Sequence, residues 1–189
     1  MPRITLIALA VTLWFAPAVF GQQLAVDFDP ATTKINWSLA GNVHTTHGTF
    51  QLKRGHVDVD VATNSIAGEL VVETESGESG NSARDKRMKK EILETDKYPE
   101  VRFKVIKMEG ILSKDRPSTV RVYGQFTIHG SSHEVIIPLQ LSISGSEVNG
   151  TGKLVVPYVD WGMKDPSNFL FKVDKTVSVE LIASGHITH

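Results

Sequence analysis

The chain lacks cysteine, and its charges almost cancel. Without cysteine it has no disulfide framework, no thiol nucleophile and no lipid-modified cysteine, so a hydrophobic core has to stabilise the fold. The 20 basic and 21 acidic residues give a net charge of −1, and loss of Arg3 with the leader described below makes it about −2. This balance disfavours nucleic acid and anionic membranes as partners. No long apolar run follows the leader, so no membrane span is expected in the mature chain.

The first 21 residues have the layout of a secretory signal peptide. Arg3 supplies a positive charge, and no charged residue occurs from Ile4 to Phe20. Small residues allow cleavage after Ala18 or after Gly21, and we favour the second position. An uncleaved anchor is the alternative, because the apolar run is close to the lower length for crossing a bilayer, about 17 residues.

These observations predict a signal peptide over residues 1–21 and one domain over residues 22–189. The length of the second segment is typical of a single domain. We therefore expect a periplasmic or secreted protein.

Apolar and polar residues alternate along most of the mature chain, a pattern typical of half-buried strands. Ile35, Trp37 and Leu39 share one face, for example, and Val57 and Val59 share another. Strands are predicted at residues 34–39, 46–52, 56–61, 67–73, 101–107, 120–129, 135–144, 148–156 and 177–183. Such strands either pack as two sheets or close into an antiparallel barrel, whose interior is filled or holds one small ligand.

One short helix is predicted near residues 83–94. It begins at the capping-box pattern Ser82-Ala83-Arg84-Asp85, and Met88 and Ile92 are four residues apart on one face. The preceding segment, Thr74–Gly80, is polar and rich in glycine and serine, so it is predicted to interrupt the strand pattern.

Two blocks of the sequence resemble the central signatures of the YceI-like family of exported barrels. The first block is Gly80-Asn81-Ser82-Ala83-Arg84-Asp85 with Met88, Leu93, Tyr98-Pro99 and Phe103. The second is Val122–Gly130, with its Ile-His-Gly turn, followed by His133–Leu141. The resemblance spans nearly the whole mature chain, and it implies an eight-stranded, lipocalin-like, all-β antiparallel barrel. It also implies a long apolar ligand inside the barrel, a polyisoprenoid in particular.

Three positions depart from the family pattern. Ile92-Leu93 replaces a pair that usually contains an aromatic residue, and Trp161 stands where phenylalanine is expected. Asp165–Phe169 resembles an insertion relative to the family pattern. Such positions set the length and the mouth of a pocket, so they bear on which lipid is bound.

The candidate ligand-binding residues are apolar side chains on the repeated inward faces of the strands. They are Trp37, Phe50, Leu70, Val72, Phe103, Val105, Phe126, Ile128, Leu139 and Leu141. Ordinary core packing is the alternative role for each of them. Asn81, Arg84 and Asp85 are candidates for a polar mouth, with helix capping and a local Arg–Asp pair as the alternative.

The histidines do not form a recognisable catalytic or metal-binding pattern. His44 and His47, and likewise His129 and His133, lack a third ligand at a spacing typical of zinc sites. Ser131-Ser132 beside His133 is interpreted as part of a turn and not as a catalytic site, because no nucleophile-elbow motif surrounds it. No catalytic residue, metal or cofactor is predicted.

The leading hypothesis is a non-enzymatic protein that binds, sequesters or transports an apolar isoprenoid-like lipid, such as a polyisoprenoid or a quinone tail. The first alternative is a barrel without a pocket that acts as a periplasmic stress-response or interaction module. A barrel enzyme that acts on a lipid through His129 and His133 is less favoured. Whether the chain also pairs with a second copy of itself is left open by the sequence.

Overall fold

The computed structural model describes residues 23–60, 63, 65–113 and 115–188. The predicted signal peptide and Val61 lie outside these residues. The described part of the chain forms nine strands: β1 (Gln23–Phe28), β2 (Lys34–Leu39), β3 (Thr46–Asp60), β4 (Ser65–Glu78), β5 (Glu100–Glu109), β6 (Ser118–Ile128), β7 (Ser131–Ser144), β8 (Glu147–Val156) and β9 (Val177–Thr188). Among the same residues, no helix is long and apolar enough to cross a bilayer.

The strands close into an antiparallel barrel with eight positions around its wall. From β3 to β9, each strand pairs with the next one along the chain. The first two strands share one position between β3 and β9: β1 pairs with residues 55–60 of β3, and β2 pairs with residues 46–51. This closure of the sheet confirms the barrel over the two-sheet alternative.

The inward faces of the strands form the core. Ile35 and Trp37, Val57 and Val59 are buried in the alternation that the sequence predicts. Apolar side chains from several strands meet inside the barrel because every second residue points inward. The interior of the barrel is therefore apolar along its length.

The two ends of the barrel are built differently. The turn end carries the β3–β4, β5–β6 and β7–β8 connections. The helix end carries the β2–β3, β4–β5, β6–β7 and β8–β9 connections, and the β4–β5 connection contains the helix α1 (Ser82–Arg87), which continues as a π-helical segment at Met88–Leu93. The β1–β2 connection lies partway along the wall, because both strands run in the same direction beside β3. At the helix end β6 and β7 are joined by His129-Gly130, both with positive φ, as a tight type I′ hairpin turn requires.

Two of the sequence-based boundaries are wrong. Thr74–Gly80 is predicted as an interruption, but β4 runs through most of it, because buried Thr74 bonds to the backbone of Tyr98 and Pro99. The strands predicted at 46–52 and 56–61 form one strand, β3. Irregular pairing with β4 between Thr49 and Gln51 and between Leu52 and Arg54 disturbs the alternation there, which explains why they look separate.

Candidate functional site: the barrel lumen

An apolar cavity of about 110 Å³ lies in the turn-end half of the lumen. Its lining residues are all apolar or glycine, and they come from strands all around the barrel. Leu24, Val59 and Val148 are among them, each less than 8% exposed. A cavity with such a lining offers no hydrogen-bond partner to water, so it suits an apolar ligand.

A second apolar cavity of about 80 Å³ lies next to the first, towards the helix end. Both cavities are lined by Leu70, Phe103, Ile137 and Leu181, which form a partition between them. Gly124 on β6 lets the Phe103 ring lie against the wall, since a Cβ there would come within 2.5 Å of the ring. The lumen is thus one apolar tract divided by four side chains.

Seven of the ten predicted lumen residues line one or both cavities. Leu70, Phe103, Val105, Leu139 and Leu141 line the larger cavity. Val72 and Phe126 line the smaller one, together with Leu70 and Phe103. Their role in ligand binding stays a prediction, but their side chains surround the same apolar space.

Trp37, Phe50 and Ile128 line neither cavity. The Trp37 ring covers Gly48 on the neighbouring strand, where a Cβ would come within 2.4 Å of it, and its buried Nε1 has no hydrogen-bond partner among the described residues. Phe50 covers Gly77 in the same way. Ile128 packs in a separate apolar cluster at the helix end. These three side chains occupy the inner wall and the helix end.

Sequence reasoning missed the lining contributed by β1. Leu24, Val26 and Phe28 of this strand line the larger cavity. Their alternation with Ala25 and Asp27 is the same signal that identifies the other strands, but it follows directly on the leader and was not interpreted as a strand. Ile143 and Val148, further lining residues of this half, lie in predicted strands, whereas Ile187 lies beyond residue 183, where the last strand was predicted to end.

An apolar cluster, the helix-end plug, closes the other end of the lumen. Its buried members are Ile128, Val156, Tyr158 and Met163, and Ile92, Leu93 and Trp161 pack against them. The Tyr158 hydroxyl donates to the Asp174 carbonyl at 2.9 Å. Burial, with help from the Asp165 and Asp174 charges, raises the pKa of Tyr158 to about 12, so this phenol stays neutral inside the plug.

The three candidate mouth residues lie at the helix end and line neither apolar cavity. The Asn81 side chain caps α1 by accepting a hydrogen bond from the Arg84 N–H at 3.0 Å. The Arg84 guanidinium donates to the Ser79 hydroxyl and carbonyl, and the Ser79 hydroxyl donates to Asp85. Asp85 also lines an open polar cleft of about 520 Å³ between the helical segment and β4. Asn81 therefore caps the helix as the alternative predicts, whereas Arg84 and Asp85 are joined through Ser79 rather than paired directly.

The histidines make structural contacts. His129 Nε2 lies 2.5 Å from Glu94, and its ring packs on Tyr98 with 4.5 Å between centroids. His133 stacks on Trp161 at 3.9 Å, and its buried Nε2 has no hydrogen-bond partner in the described part of the chain. No group of three or more potential metal ligands occurs among the described residues.

Comparison with known proteins agrees with this architecture. A family model described as "YceI-like domain" matches residues 27–184. No curated protein matches the chain in sequence.

Solved structures with the same fold include a polyisoprenoid binding domain from Saccharophagus degradans. It is 17% identical, with a TM-score of 0.68, over 87% of this chain and 99% of that one. BcnA of Burkholderia cenocepacia is 18% identical, with a TM-score of 0.69, over 84% and 99% of the two chains. The YceI protein of Campylobacter jejuni is 13% identical, with a TM-score of 0.57, over the full length of both. With its closed barrel, its apolar lumen and the family match over most of its length, this chain belongs to the YceI-like family.

Proposed function

We propose that this protein binds an apolar, isoprenoid-like lipid in the barrel lumen and sequesters or transports it without catalysing a reaction. The observation that carries the proposal is the pair of adjoining cavities with almost entirely apolar linings. The Saccharophagus degradans domain, which is described as polyisoprenoid-binding and has the same fold, supports this choice of ligand.

Buried apolar area supplies the favourable free energy of such binding. Each buried methylene contributes about 0.8 kcal/mol, so a chain of about 20 carbons gains over 10 kcal/mol before ordering costs are subtracted. Both cavities are smaller than the ~300 Å³ at which ligand pockets usually begin. A long ligand therefore has to displace the partition of Leu70, Phe103, Ile137 and Leu181.

The proposal includes export. A signal peptide over residues 1–21 followed by a binding domain over 22–189 places the barrel in the periplasm or outside the cell. There it would hold a lipid that water does not dissolve. The alternative of a barrel without a pocket, acting as an interaction module, is less favoured because the lumen contains two cavities rather than a continuous packed core.

Native mass spectrometry of the protein purified from its own host tests this function. The expected result is a bound lipid, identified after extraction, that a polyprenyl alcohol displaces. Protein that carries no lipid and takes up no polyprenyl alcohol would refute the proposal.

A substitution that fills the larger cavity tests whether the ligand binds there, and a matched substitution on the outer surface is its control. Ala183 is buried and lines the larger cavity, and Ala67 is exposed on the outer face of β4. Ala183→Leu should raise the unfolding free energy by about 1 kcal/mol, as cavity filling commonly does, and should weaken polyprenyl alcohol binding at least ~10-fold. Ala67→Leu should leave binding unchanged. Equal binding by both variants would place the ligand outside the lumen.

A further inference from the structure

The wall of the barrel is interrupted between β7 and β8. Their pairing runs from Ser144–Glu147 to Leu139–Gly152 and stops there, although β7 begins at Ser131 and β8 continues to Val156. On their other sides the two strands stay paired, with Ser131 opposite Ile128 of β6 and Val156 opposite Val177 of β9. Over this stretch each strand is paired on one side only, and we name the unpaired stretch the β7–β8 gap: residues 135–138 on β7 facing residues 153–156 on β8.

Both limits of the gap have a local cause. Pro138 is the first residue of β7 beyond the last pair, and its lack of an N–H is compatible with a strand position that makes no ladder bond on one side. Nearer the helix end, the His133 ring lies parallel to that of Trp161, with 3.9 Å between centroids and 4° between planes. This stack joins β7 to the β8–β9 connection on the helix-end side of the gap. Trp161 also contacts Phe126, whose side chain lines the smaller cavity.

Both faces of the gap are apolar. Extending the β7–β8 register past Leu139–Gly152 places Ile136 opposite Val155, and Ile137 opposite Leu154. Ile136 and Val155 belong to the outer face and are 53% and 57% exposed. Ile137 and Leu154 belong to the inner face and line the smaller cavity. Exposed apolar side chains thus stand on both sides of a break in the wall, directly outside the apolar lumen.

The smaller cavity extends to this part of the wall. Lys153 is the one charged residue in its lining, and its side chain points outward, where it pairs with Glu180 at 3.2 Å. The cavity thus touches both Lys153, which points outward, and Leu154, which points inward. It therefore reaches the backbone of β8 between these two residues. The helix-end plug closes the lumen at the nearer end of the barrel.

We propose that the β7–β8 gap is the entrance through which an apolar chain passes into the lumen. The inference rests on the proposed lipid-binding function and adds the route. The chain passes between Ile136 and Val155 and enters the smaller cavity beside Ile137 and Leu154. It reaches the larger cavity when the partition at Phe103 moves.

A cross-link across the gap tests the route, and the absence of cysteine from the chain makes it specific. The variant Ile136→Cys/Val155→Cys is joined with a short bis-maleimide, and mass spectrometry verifies the link. The control is Gln140→Cys/Thr151→Cys, joined in the same way. These two exposed residues face each other where the same seam is intact.

The readout is the association rate of farnesol carrying a dansyl group, followed by stopped-flow fluorescence. Linking Ile136→Cys to Val155→Cys should slow association about 10-fold or more, because entry would then require another opening of the wall. The linked control and both unlinked variants should associate at the rate of the parent. An unchanged rate in the verified gap cross-link would overturn the proposed route. Failure of the unlinked parent to take up the probe would instead refute the lipid-binding function on which the route depends.

Amide hydrogen exchange gives a test that needs neither ligand nor cross-link. Amides in residues 153–156 that point towards β7 should exchange faster than those in residues 148–152, whose partners are present on both sides. Uniform protection along β8 would mean that the seam is closed in solution, and it would also overturn the proposal.

Discussion

The turn-end and helix-end halves of the barrel have equally apolar interiors but differ in packing. In the turn-end half, inward side chains surround a cavity of about 110 Å³. At the helix end, Tyr158, Met163 and Trp161 from the β8–β9 connection and Ile92 and Leu93 from the helical segment fill the corresponding space. The strands alone leave this lumen partly empty, and the long connections of the helix end fill the space beyond the smaller cavity.

This difference separates two tasks within one core. The plug supplies packing contacts without surrounding a cavity, and the cavity walls keep space that better packing would remove. We therefore expect stability to depend more on the plug, and ligand binding to depend more on the other half.

The largest expected effect concerns two buried valines, one in each half. Val156 is 1% exposed in the plug, and Val122 is 3% exposed and lines the larger cavity. Val156→Ala should lower the unfolding free energy by about 2–3 kcal/mol, from lost transfer energy plus a new void. Val122→Ala should cost less, because a side chain that borders a cavity has fewer neighbours to lose. Urea denaturation of both variants measures the difference, and equal losses would show that the two halves are packed alike.

The next prediction concerns the helix cap, and it also tests the candidate mouth. Asn81→Ala should cost about 1 kcal/mol of unfolding free energy, because the Arg84 N–H loses its acceptor. Ser82→Ala, at the next position, is the control. If Asn81, Arg84 and Asp85 only cap and pair locally, binding of a polyprenyl alcohol by Asn81→Ala stays at the parent value. A clear loss of binding in this variant would support a mouth at the helix end and weaken the proposal of entry through the wall.

The smallest expected effect is at the turn end, on the outer surface of β5 and β6. The Glu109 carboxylate accepts hydrogen bonds from Lys107 at 2.7 Å and from the Tyr123 hydroxyl at 2.7 Å, and it pairs with Arg121. These bonds lower the pKa of Glu109 to about 2, from an ordinary value of 4.5. A lowered pKa in the folded state stabilises the fold above pH 4.5, and this contribution is lost as the pH falls towards 2.

Glu109→Gln should therefore be slightly less stable than the parent at pH 7, and the difference should shrink below pH 4.5 and vanish near pH 2. Urea denaturation across this range measures it. A difference that stays constant with pH would mean that the carboxylate charge contributes nothing here.

The sequence predicted most of the wall, because alternation reports which side of a strand is buried. The prediction failed where a contact with a residue distant in the sequence also decides burial. Thr74 is polar and lies between Glu73 and Glu75, yet it is buried, because its hydroxyl donates to the Tyr98 carbonyl. This bond joins residues on two sides of the helix, and no local pattern contains it.

The candidate site shows the same limit. Phe103 and Trp37 are both inward aromatic residues, and the sequence treats them alike. Phe103 borders both cavities, whereas Trp37 lies flat over Gly48 and borders neither. Both rings cover a glycine of the neighbouring strand, Gly48 and Gly124, so the open space beside a ring depends on its level along the barrel, which the pairing of the strands decides.

The sequence by itself determined the strands, their buried faces, the capped helix and the family, since these follow from alternation, turn residues and local motifs. The tertiary structure decided where the lumen is empty, where it is plugged and where its wall is interrupted. Those properties arise between residues far apart in the chain. Leu70 and Leu181 border the same cavities only because the barrel closes, and Trp161 stacks on His133 only because the β8–β9 connection folds back across the end of the barrel.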